Sequence, residues 1–583
     1  MIIDSFKNIK YIYNLFDNKH KTKIYFVFIN SIIIVLLETL SISAFIPFFD
    51  ILFSQNSNFN NSSSHITKYI FNLFSDYKFN DMVILLSLLL ITIFIIKIFI
   101  TILLNYLNLV FQKNLQLYLD HIVTEIHFSK NYEKIKNLKK SEITRNILTE
   151  TGYVLKYLSS FLTIMSELLI VTVFIYLILI SSLQGMTSIL IIMGSGILIF
   201  YFSYKKLLKW GQVRLKAASL IIKSIIDPFS NFAEVKILRL EAFFLHLFKV
   251  SRAKLLTTTM NLTFLQSLNR YILELCLVSS LLLILIFLAK SSTFDLYEIL
   301  PSFLSIGVIA LRILPSVNKL VSQFQNIKFV ESALSNFKKI MIGINEYSKD
   351  KNKVLLDNFN SFEIKNINFS YEGSTKNILE NLSIKIKKNE KVAIYGDSGS
   401  GKSTLGKIIA GLLNPQSGTI IYNDNINNFF DCKWGNKLSY VPAESFLWEG
   451  NLLNNITLNF FDTKYDQVKM NKIIKICKLE NFLSKLENGL LTEIKDGGKN
   501  FSSGQVQRIA IARHLYQYPE FLILDESTNA LDKELQKEIL TNLLKMEDIT
   551  ILIISHDKQV IEMFSTIYNF SNKNIQLTVS GKV

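Results

Sequence analysis

The sequence predicts a polytopic α-helical membrane domain followed by a soluble α/β domain. Half of the 583 residues are hydrophobic and 19% are charged, which is too apolar for an ordinary soluble enzyme and too charged for membrane helices alone. Long apolar runs fill the first part of the chain. From about Asp357 onward, short strand-like runs are mixed with helical patterns, as in soluble α/β domains.

Six apolar runs reach or approach the ~20 residues that a helix needs to cross the hydrocarbon core of a bilayer. They lie at residues 24–49, 83–104, 161–180, 187–202, 268–289 and 299–317. The fourth run is short, and the sixth contains Pro301, Arg312 and Pro315. A buried helix of a soluble protein is an alternative for any single run. Six such runs in succession favour six transmembrane helices.

The composition change also predicts the domain boundaries. We expect a membrane domain at 1–335, with the six spans between 24 and 317 and a last helix that continues into the cytoplasm. Residues 1–23 mix five lysines with aliphatic and aromatic residues, which favours an amphipathic helix on the membrane surface over a cleaved signal peptide. Residues 336–358 are expected to be a linker, and 359–583 the second domain.

The distribution of basic residues predicts the orientation. Connections 111–156 and 204–254 are rich in Lys and Arg, whereas 54–81 contains two lysines and 181–186 contains none. Because basic residues are enriched in cytoplasmic loops, both termini are expected in the cytoplasm, with the chain in a bacterial inner membrane. The formal charge of +16 follows from this topology, and no motif favours a nucleic-acid partner. The three cysteines have no metal-ligand spacing.

Charged residues within the apolar runs are candidates for a translocation cavity. Such groups are costly in hydrocarbon and usually face a bundle interior or a water-filled cavity. Glu38 and Arg312 are the two candidates, and a structural ion pair of Arg312 with Glu38 or Glu274 is the alternative. Lys97 and Arg270 lie near the ends of runs, where their side chains can extend to the interface.

The first motif that indicates a chemical function in the second domain is a phosphate-binding loop. A strand-like run at 391–395 leads into Gly-Asp-Ser-Gly-Ser-Gly-Lys-Ser and then a helical pattern, the context that this motif requires. The glycines let backbone N–H groups face phosphates, and the helix N-terminus adds to the attraction. Lys402 would reach the β- and γ-phosphates of a nucleotide, and the Ser403 hydroxyl would bind Mg²⁺. The predicted phosphate-binding residues are Gly396, Asp397, Ser398, Gly399, Ser400, Gly401, Lys402, Ser403 and Thr404.

A buried-strand pattern at 521–524 ends in two acidic residues, Asp525 and Glu526. Downstream of a phosphate-binding loop, Asp525 can hold Mg²⁺ through water. Glu526 is placed to polarise the attacking water. We therefore predict a nucleotide and Mg²⁺ as the ligands, with Glu526 as the catalytic carboxylate.

A third motif points to one family. The sequence Phe-Ser-Ser-Gly-Gln at 501–505 precedes a helical pattern and lies shortly before Asp525. It resembles the signature of the ABC ATPase family, which reads Leu-Ser-Gly-Gly-Gln. The resemblance implies that this segment acts on the γ-phosphate held by another subunit. The residues concerned are Phe501, Ser502, Ser503, Gly504 and Gln505.

Further positions match the same family in order. The resemblance implies that Tyr371 stacks on adenine and that Asp532 belongs to the loop after the catalytic acid. It also implies that His556, at the end of a strand, contacts the γ-phosphate as a second catalytic residue. One departure concerns Ala443, because the family places after Val-Pro a Gln that contacts Mg²⁺ and senses the membrane domain. Glu444 could replace this Gln in part, or hydrolysis could be slow.

The two halves together resemble the ABC exporter architecture. By that resemblance, two cytoplasmic turns, near 143–150 and 229–236, rest on the ATPase domain and transmit its closure to the helices. The chain has one phosphate-binding loop and one signature, so complete sites need a second copy. A homodimer is the simplest closed arrangement, and a heterodimer with another chain is the alternative.

A narrower resemblance concerns the cargo. Residues 36–43 and 311–319 resemble bacterial lipid-linked oligosaccharide flippases, and 65–74 could form the short outer helix of that family. This implies a membrane-lipid partner and a polyprenyl-diphosphate-linked glycan as cargo. A peptide exporter or an exporter of hydrophobic drugs or lipids is the alternative of the same architecture. A nucleotide-gated regulator with weak hydrolysis is favoured only by Ala443.

Overall fold

A computed structural model gives the architecture of the chain. It describes residues 2–45, 48, 79–181, 185–289, 296–343, 354–355, 358–374, 376–423, 432–433, 437–462, 464–495, 497–571 and 574–579. These residues belong to two compact units. Unit 1 comprises Met1–Phe128 and Leu138–Ile344, and unit 2 comprises Ser129–Asn137 and Asn345–Val583.

Long helices make up unit 1. In chain order the helices up to residue 341 are α1 (Ile2–Asn14), α2 (Asn18–Ser43), α3 (Phe79–Ser129), α4 (Tyr132–Asn137, in unit 2), α5 (Lys140–Arg145), α6 (Thr151–Ser181), α7 (Gly185–Ser230), α8 (Phe232–Ile237), α9 (Glu241–Ala289) and α10 (Leu296–Met341). A π-helical turn, Asn146–Glu150, joins α5 to α6.

Five of the six predicted spans lie within one long helix each, and the first, 24–49, begins in α2 and extends past its end at Ser43. Within the residues that the structure describes, four segments are long and apolar enough to cross a membrane: Asn18–Ser41, Asn80–Ser129, Lys140–Tyr176 and Leu190–Ser230. The fifth and sixth predicted spans lie in α9 and α10, for which crossing the membrane stays a prediction. The predicted outer helix at 65–74 lies outside the described residues.

Helix α10 is the centre of unit 1, because it packs against α6, α7 and α9. Its Phe329 and Phe337 are buried in the same apolar core as Phe174 of α6. The α7–α10 contact depends on Gly211, because a Cβ there would lie 2.2 Å from the carbonyl oxygen of Phe329. The backbones of the two helices therefore approach each other at a distance that only glycine permits.

Two sets of polar side chains are paired within unit 1. Asn269 and Gln325 exchange two amide hydrogen bonds of 2.8 and 3.1 Å. The Arg214 guanidinium donates to both carboxylate oxygens of Glu150 at 3.2 and 3.0 Å and lies 3.6 Å from the centre of the Tyr153 ring. Buried polar groups are costly unless hydrogen-bonded, so these pairs specify how the helices pack.

Unit 2 contains thirteen described strands in four sheets. They are β1 (Val354–Leu355), β2 (Ser361–Phe369), β3 (Leu379–Lys387), β4 (Lys391–Gly396), β5 (Ser417–Tyr422), β6 (Cys432–Lys433), β7 (Leu438–Val441), β8 (Gly450–Asn451), β9 (Glu493–Ile494), β10 (Phe521–Asp525), β11 (Thr550–Ser555), β12 (Thr566–Ser571) and β13 (Asn574–Val579). The helices that follow the first of these strands are α11 (Lys402–Ile409), α12 (Leu452–Thr457), α13 (Gln467–Ile476), α14 (Glu480–Leu483), α15 (Ser503–Tyr516), α16 (Lys533–Leu544) and α17 (Lys558–Ile561).

The main sheet has the order β13-β12-β4-β11-β10-β7 and is parallel except for β13. Every residue of β10 and β11 is buried, as is typical of central parallel strands covered on both faces. An antiparallel sheet of order β3-β2-β5 forms a second layer of the domain. Since parallel strands end at one edge, the carboxyl ends of β4, β10 and β11 bring the predicted site residues together.

Segment Ser129–Asn137 belongs to unit 2 although it lies between two helices of unit 1 in the chain. The carboxylate of Glu133 accepts a hydrogen bond of 3.0 Å from the backbone N–H of Glu372. The Lys407 ammonium lies 5.9 Å from the centre of the Tyr132 ring. Contacts to α11 and to the loop after β2 therefore fix this segment on the ATPase-like domain.

The two predicted contact turns lie in unit 1. Residues 143–150 include Arg145 and Glu150, whose side chains are buried. The contact predicted for 143–150 stays a prediction. The second predicted turn, 229–236, covers the start of α8 and contains the exposed Phe232, and its contact stays a prediction.

Candidate active site

The loop between β4 and α11 has the backbone of a phosphate-binding loop. Gly399 and Gly401 have φ angles of +79° and +114°, which side chains with a Cβ rarely adopt. A Cβ on Gly401 would also lie 2.9 Å from Cγ2 of Ile378. Gly396 is restricted by space, because a Cβ there would lie 2.3 Å from the carbonyl oxygen of Phe570. The glycines of the motif are therefore required by the fold of the loop.

Lys402, the first residue of α11, folds back over this loop. Its Nζ donates to the carbonyl oxygens of Gly396 and Asp397 at 2.8 and 2.6 Å. Burial lowers the pKa of the ammonium, and the negative charges of Glu526, Asp397 and Asp525 oppose that shift. The cation is thus held directly above the loop where phosphate groups are expected.

The Asp525 carboxylate, at the end of β10, is bonded at both oxygens. Ser403 Oγ donates to Oδ1 at 2.8 Å. The Tyr440 hydroxyl, from β7, donates to Oδ2 at 2.6 Å. Burial and the neighbouring Asp525 charge raise the pKa of Tyr440, so the phenol stays protonated and acts as a donor.

Ser403 and Asp525 fit a magnesium ion. A hydroxyl and a carboxylate oxygen from two different elements lie 2.8 Å apart, and Mg²⁺ prefers oxygen ligands of this kind, usually one or two from protein. Asp525 is only 3% exposed, so its carboxylate has a fixed position. Both predicted metal residues are therefore brought together by the fold.

Glu526 and His556 lie side by side at the same edge of the sheet. His556 Nδ1 is 3.5 Å from Glu526 Oε1, and Asn529 Nδ2 donates to Glu526 Oε2 at 3.3 Å. Glu526 has a φ of +50°, an uncommon conformation for a residue with a side chain, and such outliers concentrate at functional sites. Strand β10 ends at Asp525, and the backbone turns at Glu526. The side chains of the two acids therefore lie in different positions.

The signature segment forms the start of α15. Ser502 and Gln505 make a reciprocal capping box, in which the Ser502 side chain accepts from the Gln505 N–H and the Gln505 side chain accepts from the Ser502 N–H. Ser502 and Ser503 are exposed. Ser503 is not among the residues with positive φ, so serine in place of glycine causes no backbone strain there. Phe501 packs edge-on against Phe482 at 5.6 Å.

The loop at Ala443 is tied to the signature helix by its backbone. Gln507 Nε2 donates to the Ala443 carbonyl at 3.3 Å, and Gln507 Oε1 accepts from the Ala530 N–H at 3.0 Å. The Gln507 side chain is buried. A Cβ on Gly504 would lie 3.0 Å from the Ala530 carbonyl oxygen, which shows how closely α15 approaches the turn after Glu526.

Tyr371 and Asp532 make local contacts within the domain. The Tyr371 hydroxyl shares a hydrogen bond of 3.1 Å with Thr404 Oγ1 on α11, which places its ring beside the helix that follows the phosphate-binding loop. Asp532 caps α16 through a 2.9 Å bond from the Leu535 N–H to its Oδ1. The adenine contact of Tyr371 and the role of Asp532 toward a partner stay predictions.

The candidate cavity residues are less completely described. Glu38 lies half-buried in α2, and Arg312 lies in α10, but its side chain is outside the described residues. The ion pair found between helices here is Lys319 Nζ to Glu167 Oε1 at 2.6 Å, which joins α10 to α6. The Glu167 side chain is 6% exposed and that of Lys319 54%, so one charge is buried and the other is accessible.

Sequence reasoning missed Tyr440 and Gln507. The sequence shows a strand pattern at 438–441, but it does not show which strands are neighbours in the sheet. Tyr440 approaches Asp525 because β7 lies beside β10. Gln507 lies on the buried face of a helix, where a polar residue signals a partner. No sequence signal names that partner.

Residues 379–529 match the sequence pattern of the family described as ABC transporter. The chain is 38% identical over 194 residues to the lactococcin-G-processing and transport ATP-binding protein of Lactococcus lactis subsp. lactis, covering 33% of this chain and 27% of that protein. It is 34% identical over 215 residues to the pediocin PA-1 transport/processing ATP-binding protein of Pediococcus acidilactici, covering 36% of this chain and 29% of that protein. The match thus spans less than a third of the length of these relatives.

Among solved structures, a bacterial Atm1-family ABC exporter with ATP bound has a TM-score of 0.72 with 17% sequence identity, covering 95% of both chains. At that identity the likeness concerns the fold. The chain therefore has the ABC exporter fold, a helical unit joined to an α/β domain of the ABC ATPase type.

Proposed function

We propose that this chain is an ATP-driven exporter that works as a homodimer in a bacterial inner membrane, with both termini and the ATPase domain in the cytoplasm. The observation that carries the proposal is the sheet edge where Lys402, Ser403, Asp525 and Glu526 converge. A phosphate-binding loop alone would indicate only a nucleotide. Its union with a helical unit of exporter fold favours hydrolysis coupled to transport.

Each residue of the site has a task in hydrolysis. The N–H groups of loop 396–401 and the Lys402 ammonium would bind the β- and γ-phosphates. Mg²⁺ held by Ser403 and Asp525 would supply positive charge between these phosphates. Glu526 would accept a proton from the attacking water, and His556, 3.5 Å away, would contact the γ-phosphate.

The homodimer explains the position of the signature. Ser502 and Ser503 are exposed at the N-terminus of α15, where unpaired N–H groups and the helix dipole favour an anion. We propose that this end meets the γ-phosphate bound by the partner subunit. Phe229, in α7, and Phe232, in α8, are stacked at 5.8 Å and are 67% and 48% exposed. They form an apolar surface at the junction of α7 and α8 that a partner would cover.

We take a peptide as the first cargo candidate, because the relatives named above transport lactococcin G or pediocin PA-1. A hydrophobic drug or lipid would use the same architecture. A lipid-linked oligosaccharide is the second candidate. The half-exposed Lys319 ammonium, on the same helix as Arg312, favours it, since a diphosphate would be attracted to both cations.

Transport in reconstituted vesicles tests the proposal. Vesicles with the ATPase domain outward receive ATP and either a labelled peptide mixture or a fluorescent polyprenyl-diphosphate glycan, and Glu526→Gln vesicles serve as the inactive control. ATP-dependent accumulation of peptide supports the first candidate. ATP-dependent movement of the glycan without the peptide supports the second candidate, the lipid-linked oligosaccharide. Absence of both ATP hydrolysis and ATP-dependent movement would refute the exporter.

A further inference from the structure

The metal-binding carboxylate is held from two sides by different elements. Ser403, on the helix of the phosphate-binding loop, donates to Oδ1 of Asp525 at 2.8 Å, and Tyr440, on β7, donates to Oδ2 at 2.6 Å. Strands β7 and β10 are adjacent and parallel, with Tyr440 paired in register with Ile523. The phenol therefore reaches past Leu524 to the carboxylate at the end of the neighbouring strand.

The loop that follows β7 has no polar side chain at position 443. Three residues after Tyr440 the chain has Ala443, whose side chain has no oxygen or nitrogen atom and which is exposed. Its carbonyl is already bonded to Gln507 at 3.3 Å. Of the described hydrogen bonds at the Asp525 carboxylate, the Tyr440 hydroxyl thus supplies the one that comes from this strand.

Groups that hydrogen-bond a metal-ligating carboxylate fix its orientation and usually matter for affinity as much as some ligands do. We propose that Tyr440 is a positioning residue for Mg²⁺ binding, which orients Asp525 from β7, the strand whose following loop has no polar side chain at position 443. This inference rests on the proposed MgATP site. It assigns a role in the metal site to a strand that leads directly into the loop at 442–449.

A purely structural role is the competing explanation, because a buried tyrosine hydroxyl generally needs some hydrogen-bond partner. The same domain offers a matched control. The Tyr568 hydroxyl, on β12, donates to the Lys385 carbonyl at 3.0 Å, and Tyr568 is 8% exposed. Tyr568→Phe removes the same atom from the same apolar core without touching the carboxylate.

The test measures metal binding rather than turnover. Full-length protein with Glu526→Gln, in lipid nanodiscs with ATP, is titrated with Mn²⁺, and free Mn²⁺ is followed by electron paramagnetic resonance. Adding Tyr440→Phe is expected to weaken Mn²⁺ binding by ~10-fold or more. ATP affinity in EDTA and the thermal midpoint should stay unchanged. Adding Tyr568→Phe instead should leave the Mn²⁺ affinity unchanged.

Unchanged Mn²⁺ affinity in the Tyr440→Phe protein would overturn the inference. Equal weakening by Tyr568→Phe, or joint loss of ATP affinity and thermal stability, would overturn it in favour of a structural role. A second variant adds Ala443→Gln to Tyr440→Phe, and recovery of Mn²⁺ affinity is expected because an amide oxygen becomes available. Failure of even the parent protein to bind ATP would refute the proposed function instead.

Discussion

Replacing Glu526 by glutamine should stop hydrolysis while keeping the ATP site intact. The amide keeps an oxygen that can accept the 3.3 Å bond from Asn529, and the change leaves the N–H bond from Glu526 to the Ile554 carbonyl at 3.0 Å untouched. What is lost is a basic oxygen for the proton of water. Because Asp525 and Lys402 keep their contacts, ATP and Mg²⁺ should still bind.

The size of the effect follows from the role. A positioned general base contributes typically about 10²–10⁴-fold, which corresponds to about 3–5 kcal/mol of the activation barrier at ~1.36 kcal/mol per tenfold. The substitution leaves His556, 3.5 Å from the replaced carboxylate, and the Ser403–Asp525 contact in place. We therefore expect the decrease in kcat to fall within that range rather than beyond it.

Phosphate release from protein in lipid nanodiscs measures kcat, and equilibrium binding of a fluorescent ATP analogue measures affinity. Glu547→Gln, an exposed residue beyond α16, makes the same chemical change elsewhere and should have no effect. Lys402→Ala should lose both binding and turnover and gives the background rate. Turnover by Glu526→Gln equal to that of the unchanged protein, above this background, would refute the assignment of Glu526.

Four further predictions concern the metal site, the cavity, the helical unit and pH. Ala443→Gln should raise cargo-stimulated ATP hydrolysis or sharpen its Mg²⁺ dependence, since an amide would approach the metal; identical rates and Mg²⁺ curves would mean the role is already filled. Arg312→Ala should abolish transport of an anionic cargo with dimer assembly and basal hydrolysis intact, and Arg312→Lys should keep part of it, because Lys lacks the planar fork that matches phosphate; normal transport by Arg312→Ala would remove the residue from the cavity. Arg214→Met should destabilise the protein by about 3–5 kcal/mol in an SDS titration, because it leaves the Glu150 charge buried without its partner. The double variant with Glu150→Gln should recover most of this loss. Equal destabilisation of the single and double variants would contradict the reasoning. Burial lowers the pKa of His514 to about 4 from 6.5, so the unfolded chain binds more protons than the folded chain between these pH values. The thermal midpoint should therefore fall as pH drops from 6.5 to 4, and less steeply in His514→Gln. Identical dependence of the midpoint on pH in the two proteins would contradict this prediction.

The residues that meet at the candidate site could be predicted from the sequence because nucleotide chemistry restricts residue type at fixed spacing. Gly401 must take a φ of +114° close to Ile378, and Lys402 and Ser403 must follow at once on the helix. Asp525 must end a buried strand. Such demands leave a pattern in the sequence that is independent of the surrounding fold.

Contacts between residues that are far apart in the chain left no such pattern in the sequence. Tyr440 and Asp525 are 85 positions apart, and their meeting depends on which strands are neighbours. Nor does the sequence identify Ser129–Asn137 as the segment that joins the α/β unit. The basic residues that predict a cytoplasmic connection extend through 143–150 as well, so their distribution does not distinguish Ser129–Asn137 from the residues that follow it.

The Gln507 side chain binds the carbonyl of Ala443 and the N–H of Ala530, both backbone groups. Every amino acid offers that carbonyl, and every one except proline offers that N–H. The link between the signature helix, the loop after β7 and the turn after Glu526 therefore does not depend on which side chain occupies position 443. This allows position 443 to change in evolution without uncoupling the three segments, and places the constraint on Gln507, where even glutamate would remove the donor.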